Sequence, residues 1–434
     1  MEEFSRGQQP DPQTNPAGSV ARGTLPVSAH GYAARVALFF GGLFLVYGVL
    51  VPYLPVWLAG RGLSAGEIGF ITAAPLFVRL GVTPFVSLLA DRSGRHRHII
   101  IALSWVALLA AMALSQLYGF WAILLVAVLL ALAVSTIMPL TETVAVAGVR
   151  DFGLDYGRMR LWGSLTFILA TFLGAVLVDR FGSATALWLI IASTLATVAA
   201  SHLLPSPGAA EVEAARAARD GPLTAEVGML ARHPLFLTFL VGVGLLQGAH
   251  AAFYTFGALH WSSQGFSGLW VGSLWAIGII AEIALFAWSG DVVGRIGPAR
   301  LLVLGGTAAV FRWAVMSLDP PLAVLVPLQL LHALSYGATH LAAIHFISRA
   351  VPARAAGTAQ SLYATVAAGI AMGTSTLAAG IIYARWGGLA YAAMALLAGV
   401  GLLAAFKLSA AWSGGLLWPD REAISPKTHA RAAL

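Results

Sequence analysis

Long apolar stretches, most of them separated by only a few polar residues, constrain this chain more than any other feature. Twelve follow one another from Arg35 onward, at 36–58, 67–90, 98–117, 121–147, 159–178, 184–204, 235–260, 268–290, 299–318, 321–348, 356–383 and 388–410. A helix of about 20 apolar residues crosses about 30 Å of hydrocarbon. A segment inside lipid must also satisfy its own backbone hydrogen bonds, so each stretch is expected to be a transmembrane helix. Composition points the same way. Of 434 residues, 59% are apolar and 10% charged, with a mean hydropathy of +0.83; soluble domains carry about 25% charged residues. A soluble enzyme and a disordered chain are excluded. With no cysteine in the chain, a disulfide framework and thiolate metal sites are excluded as well.

The expected architecture is an all-α integral membrane protein of two six-helix halves, 35–204 and 235–410. Residues 1–34 and 411–434 read as polar tails and 205–234 as a linker, in which Glu211, Glu213, Arg216 and Arg219 suggest a short solvated helix. The basic residues give the orientation. With both termini in the cytoplasm, the inside segments hold 20 Lys or Arg and the outside loops three, Arg61, Arg180 and Arg385. That bias places both tails and the linker in the cytoplasm, and the expected membrane is the plasma membrane, the inner membrane of a bacterium. It also accounts for the net charge of +7 without nucleic acid, since no continuous basic stripe tracks a phosphate backbone.

The halves carry an internal repeat. Asp91-Arg92-Ser93-Gly94-Arg95 follows the second stretch, and Asp291, Gly294 and Arg295 follow the eighth at an offset of 200 residues. Such loops at matching places indicate a duplicated bundle; a glycine turn there would present an acid and arginines to latch neighbouring helix ends. This loop pair and the 6+6 layout resemble the major facilitator superfamily of transporters. Ser87, Ala287 and Val292 depart from its loop pattern. Within that superfamily, Tyr53-Leu-Pro-Val-Trp57, Pro139-Leu-Thr-Glu142, Asp155 to Gly163, Ala281-Glu282, Phe311-Arg312-Trp313 and Leu331 to Gly337 resemble the phenylpropionate permease family. More distantly they are similar to the lactose permease-type sugar–proton symporters.

Four ionisable side chains stand inside predicted spans: Arg79, Glu142, Glu282 and Arg312. Each costs at least about 2.5–3.5 kcal/mol at mid-bilayer, which makes it a functional candidate. At 1.5 Å per residue Glu282 lies about 12 Å and Arg312 about 20 Å from the same membrane face. His332 falls near the middle of the next span, so three long side chains on consecutive helices can meet. Two readings stay open for them, a static ion pair that fixes packing or a proton-coupling cluster. The lactose permease resemblance implies coupling for Arg312 and His332, although Glu282 stands one turn from that family's acid and Ser335 replaces another. By the same resemblance Arg160, with Glu142, would bind substrate; its position alone suits positive-inside anchoring equally. Arg79 is expected to face a cavity, as substrate counter-ion or partner of Glu142. Gln247, His250 and Tyr254 share one helix face and, with Tyr53 and Trp57, are further candidates for the cavity wall; helix packing is the alternative for each.

The histidines at 250, 332, 340 and 345 lack a coherent ligand spacing, so neither metal nor cofactor is expected. The reading is a monomeric secondary transporter working by alternating access on a small organic solute. The resemblance favours an aromatic carboxylate such as phenylpropionate, carried with protons. A sugar or nucleoside symporter, a drug–proton antiporter and, from another class, a polytopic membrane enzyme are the alternatives.

Overall fold

The computed structural model describes residues 28–205 and 223–418. The tails at 1–27 and 419–434 and the linker residues Glu211, Glu213, Arg216 and Arg219 lie outside the described residues.

Six helices build the first half: Ala29–Gly60, Ala65–Ser93, His96–Leu114, Phe120–Phe152, Tyr156–Phe181 and Ala184–Leu203. They are crossings one to six. The seventh is Pro234–Ser263, the eighth Gly268–Ala287, the ninth Pro298–Met316 and the tenth Leu322–Ala350. A last helical stretch, Arg354–Ala411, runs for 58 residues, and a single helix of that length would reach about 87 Å, nearly three bilayer cores. It turns back at Gly387, whose φ of 54° starts the short 3₁₀ segment Gly387–Leu389. Two crossings result, the eleventh ending at Trp386 and the twelfth being Ala390–Ala411. Among the described residues, eleven helical stretches long and apolar enough to span, one of them doubled, agree with the twelve apolar stretches of the sequence.

Each half packs on itself. Crossing one lies on five and six, three on four and six, and two on four; in the second half nine lies on ten and twelve, and seven on twelve. The halves meet through two against eleven, five against eight and one against seven. At one end of the molecule they are closed. There the Asp179 carboxylate, at the end of crossing five, accepts the Gly268 backbone N–H at the start of crossing eight, at 2.8 Å. Gly69 of crossing two meets Gly380 of crossing eleven so closely that a Cβ on Gly69 would stand 2.7 Å from the Gly380 Cα. Small residues permit such approach between membrane helices. Toward the other end, which carries Asp91 and Tyr156, the halves part.

Three sequence expectations change. The first crossing begins at Ala29, inside the segment read as tail: Ser28 caps it by accepting the Gly31 N–H at 3.2 Å, and Tyr32 is buried with its hydroxyl donating to Val144 O at 2.8 Å. An apolarity count misses this turn because its anchor is a tyrosine. The repeated loops differ in form. Gly94 is left-handed, at φ 67°, and ends crossing two, with Asp91 buried and 2.8 Å from His96 Nε2. Asp291, Gly294 and Arg295 instead lie within a short helix, Ser289–Ile296, and the left-handed glycine is Gly297. Finally, crossings seven, ten and eleven are irregular. Seven breaks at Ala249 and His250, and ten and eleven contain π-helical turns at Ala333–Ala338 and Ala364–Ala371.

Candidate functional site

Between the parted halves lies a cavity of about 880 Å³. Crossings one and five supply Phe44, Tyr156 and Arg160, and crossings seven, eight and ten supply Tyr254, Trp275, Glu282, His332, Tyr336 and His340. A smaller chamber of about 250 Å³ lies toward the Asp179 end and holds Arg79. Val51 and Tyr254 stand in the walls of both.

Arg160 reaches the large cavity from the first turns of crossing five. Asp155 caps that helix, its carboxylate accepting the Arg158 N–H at 3.1 Å, so the arginine's place is fixed by the helix start. The guanidinium lies 3.8 Å from the Phe44 ring centroid and 5.5 Å from that of Phe40. Its Nη1 is buried with no hydrogen-bond partner. The Tyr156 hydroxyl stands between Glu142 and Arg160, able to donate to the carboxylate and accept from the guanidinium. Nothing in the sequence singled out this tyrosine, which stands near both Glu142 and Arg160.

In the second half Glu282, His332 and Arg312 converge. Arg312 is fully buried. It donates to Gln329 Oε1 at 2.7 Å, His332 Nδ1 at 2.9 Å and Ser335 Oγ at 3.2 Å, and it packs on Phe253 and Trp313. A guanidinium only donates, so His332 Nδ1 accepts and its ring proton sits on Nε2. That nitrogen lies 3.2 Å from Glu282 Oε2 and donates to the carboxylate. Histidine therefore bridges arginine and glutamate, which do not touch directly. Ser335, accepting from Arg312, can pass its own proton to His250 Nε2 at 3.2 Å, while His250 Nδ1 donates to Leu246 O at 3.1 Å. Arg312 and His250 stand behind the wall; Glu282 and His332 are on it. The rings of His332, Tyr336 and His340 run down the wall nearly parallel, at 5.4 and 6.2 Å between centroids.

Other candidates stand apart from the large cavity. Tyr53 is buried between crossings one and five, its hydroxyl donating to Thr171 O at 2.5 Å. Gly174 leaves it room, for a Cβ there would fall 2.8 Å from the ring. Trp57 is likewise buried, 5.2 Å from the Arg61 guanidinium. Gln247 spends its amide on Thr339 Oγ1 at 2.9 Å, a contact between crossings seven and ten. These three, with His250, pack helices together, because the break at 249–250 and the tight fit of crossing one turn those faces inward. Arg79 does not pair with Glu142; it donates to the Ala368 carbonyl in the π-helical turn of crossing eleven. His340 Nδ1 is 3.0 Å from the Tyr363 hydroxyl.

A bundle of membrane-spanning helices in two halves, parted around a central cavity with charged walls, has the architecture of a transporter. A family model described as the MFS_1 like family matches residues 34–395, and the chain belongs to that family. The chain is 33% identical over 370 residues to the "Probable 3-phenylpropionic acid transporter" of Escherichia coli (strain K12), covering 84% of this chain and 94% of that one. It is 31% identical over 369 residues to the "Maltose permease" of Geobacillus stearothermophilus, covering 82% and 90%. Among solved structures, a point mutant of the nucleoside transporter NupG superposes with a TM-score of 0.77 at 15% identity, over 87% of this chain and 99% of that one. A bacterial homologue of the lysosomal transporter Spinster, inward-facing and unoccupied, superposes at 0.69 with 14% identity, over 89% and 98%. These two likenesses concern the fold.

Proposed function

We propose that this transporter carries small aromatic carboxylates with protons, as a monomer. The observation that carries the reading is Arg160: a buried guanidinium nitrogen without an acceptor, set in a cavity walled by Phe44, Phe253, Tyr254, Trp275 and Tyr336. An unmatched buried donor costs about 1–3 kcal/mol, and an entering carboxylate supplies the missing acceptor in charge-assisted form. The rings offer the apolar remainder of such a substrate its surface. The similarity to a relative named for 3-phenylpropionic acid supports the same substrate class.

Proton coupling follows from charge. Glu282 lines the same cavity and lies within electrostatic reach of Arg160. Two carboxylates in a poorly solvated cavity with one accessible arginine repel, so the substrate anion enters together with a proton held at Glu282. His332 and Arg312 hold the charged form of Glu282 when that proton has left. The excess of basic residues on the segments at the Asp91 end supports a cytoplasmic placing of that end. The cavity would then be open inward.

Uptake into sealed vesicles tests the reading. Labelled 3-phenylpropionate should accumulate only with an inward proton gradient, while maltose and uridine should neither accumulate nor compete. Accumulation of either neutral solute, with phenylpropionate inert, would contradict it.

A further inference from the structure

The smaller chamber has its own arginine, and the aromatic-carboxylate reading assigns it no role. It occupies the half of the molecule toward the Asp179 end: crossing one lines it beyond Tyr47, crossing two from Ile71 to Arg79 and crossing four from Ala127 to Ser135. The large cavity occupies the other half, reached from Tyr156 and His340. The two chambers therefore lie in series along the molecule, with Val51 and Tyr254 in the partition. Each contains one arginine that no carboxylate among the described residues neutralises within 4 Å. Arg79 directs one donor to the Ala368 backbone carbonyl, a neutral acceptor that a carboxylate can outcompete. Tyr47 lies within electrostatic reach of both Arg79 and Arg160, and its hydroxyl donates to Val134 O at 3.2 Å, leaving no anion between the two guanidinium groups.

From this geometry, and resting on the carboxylate reading above, we propose that the smaller chamber is a second binding station for the substrate's carboxylate, with Arg79 as its anion-binding group. The substrate enters from the Asp179 end onto Arg79 and passes Tyr47 to Arg160. The volume of about 250 Å³ is enough for one aromatic ring with a short acid chain. Ala131 and Leu76 supply apolar wall beside Arg79. When the station is empty and the halves are closed at that end, the Ala368 carbonyl occupies the guanidinium. It is released as crossing two parts from crossing eleven.

A single-site carrier and a two-station carrier differ in sidedness. Half-saturating concentrations for 3-phenylpropionate exchange are measured from each face of proteoliposomes, with orientation fixed by labelling a cysteine at position 213. Arg79→Gln should raise the value at the Asp179-end face at least tenfold and leave the opposite face within twofold. Arg79→Lys should recover most of the loss. Ala131→Phe, which fills the chamber without changing charge, should reproduce the one-sided effect and stands in should Arg79→Gln fail to reach the membrane. Equal shifts at both faces, or no shift in either variant, would overturn the second station. A wild-type protein that exchanges no aromatic acid from either face would overturn the carboxylate reading and the station with it.

Discussion

Two arginines, one in each half, are buried in opposite ways. Arg312 is enclosed by Gln329, His332, Ser335 and two aromatic rings, and its charge reaches Glu282 only through an imidazole. Arg160 lies at a cavity wall with a buried nitrogen that meets no acceptor. A polar group buried inside a membrane protein is normally matched within the protein. Arg312 too has one buried nitrogen, Nε, without an acceptor, but its other two are held by Gln329, His332 and Ser335. On the proposed reading Arg312 therefore serves the framework of the second bundle, and Arg160, whose free nitrogen belongs to a residue of the cavity wall, serves a ligand that comes and goes.

Arg312→Ala should have the largest effect. It leaves Gln329 Oε1 and His332 Nδ1 without their donor, and the imidazole that donates to Glu282 without its anchor. Breaking such a buried set costs about 3–5 kcal/mol, so the variant should be scarce in membranes and unfold early in detergent. A normal level of Arg312→Ala protein would erase the contrast between the two arginines. Glu282→Gln comes next and sharpens it. The amide is neutral but still accepts from His332, so protein should remain. Accumulation against a gradient should fall to equilibration, while exchange of labelled substrate across the membrane stays within about threefold of wild type. Continued accumulation would remove Glu282 from coupling. Tyr53→Phe should do least, costing one hydrogen bond, about 1 kcal/mol, visible as a small drop in melting temperature. Transport should stay within about twofold; a larger loss would return Tyr53 to the binding site.

The fold was legible because lipid leaves few options. Each crossing advertises itself as a long apolar stretch, and the convergence of Glu282, His332 and Arg312 could be anticipated from depth on consecutive helices. Which face each crossing turns to the cavity was much less legible. Gln247 and His250 share a helix face with Tyr254, yet Tyr254 alone reaches the cavity wall, because crossing seven breaks at 249–250. The π-helical turns of crossings ten and eleven shift the phase again. Tyr156 stands at a helix start, where a tyrosine reads as an interfacial anchor, and only the approach of crossing four to crossing five places it between Glu142 and Arg160. Arg79 finds a backbone carbonyl 289 residues away in the chain, a partner that no side-chain pattern announces.

The central claim is that Arg160 awaits a carboxylate. Calorimetric binding of 3-phenylpropionate and of its neutral amide, 3-phenylpropanamide, tests it in Arg79→Gln protein, which lacks the second station, with and without Arg160→Gln. The acid should bind Arg79→Gln at least about 100-fold more tightly than the amide, equivalent to about 2.7 kcal/mol, and the preference should vanish when Arg160→Gln is added, with the double variant as stable in detergent as the single one. Equal binding of acid and amide with Arg160 present, or an acid preference that survives its loss, would contradict the account.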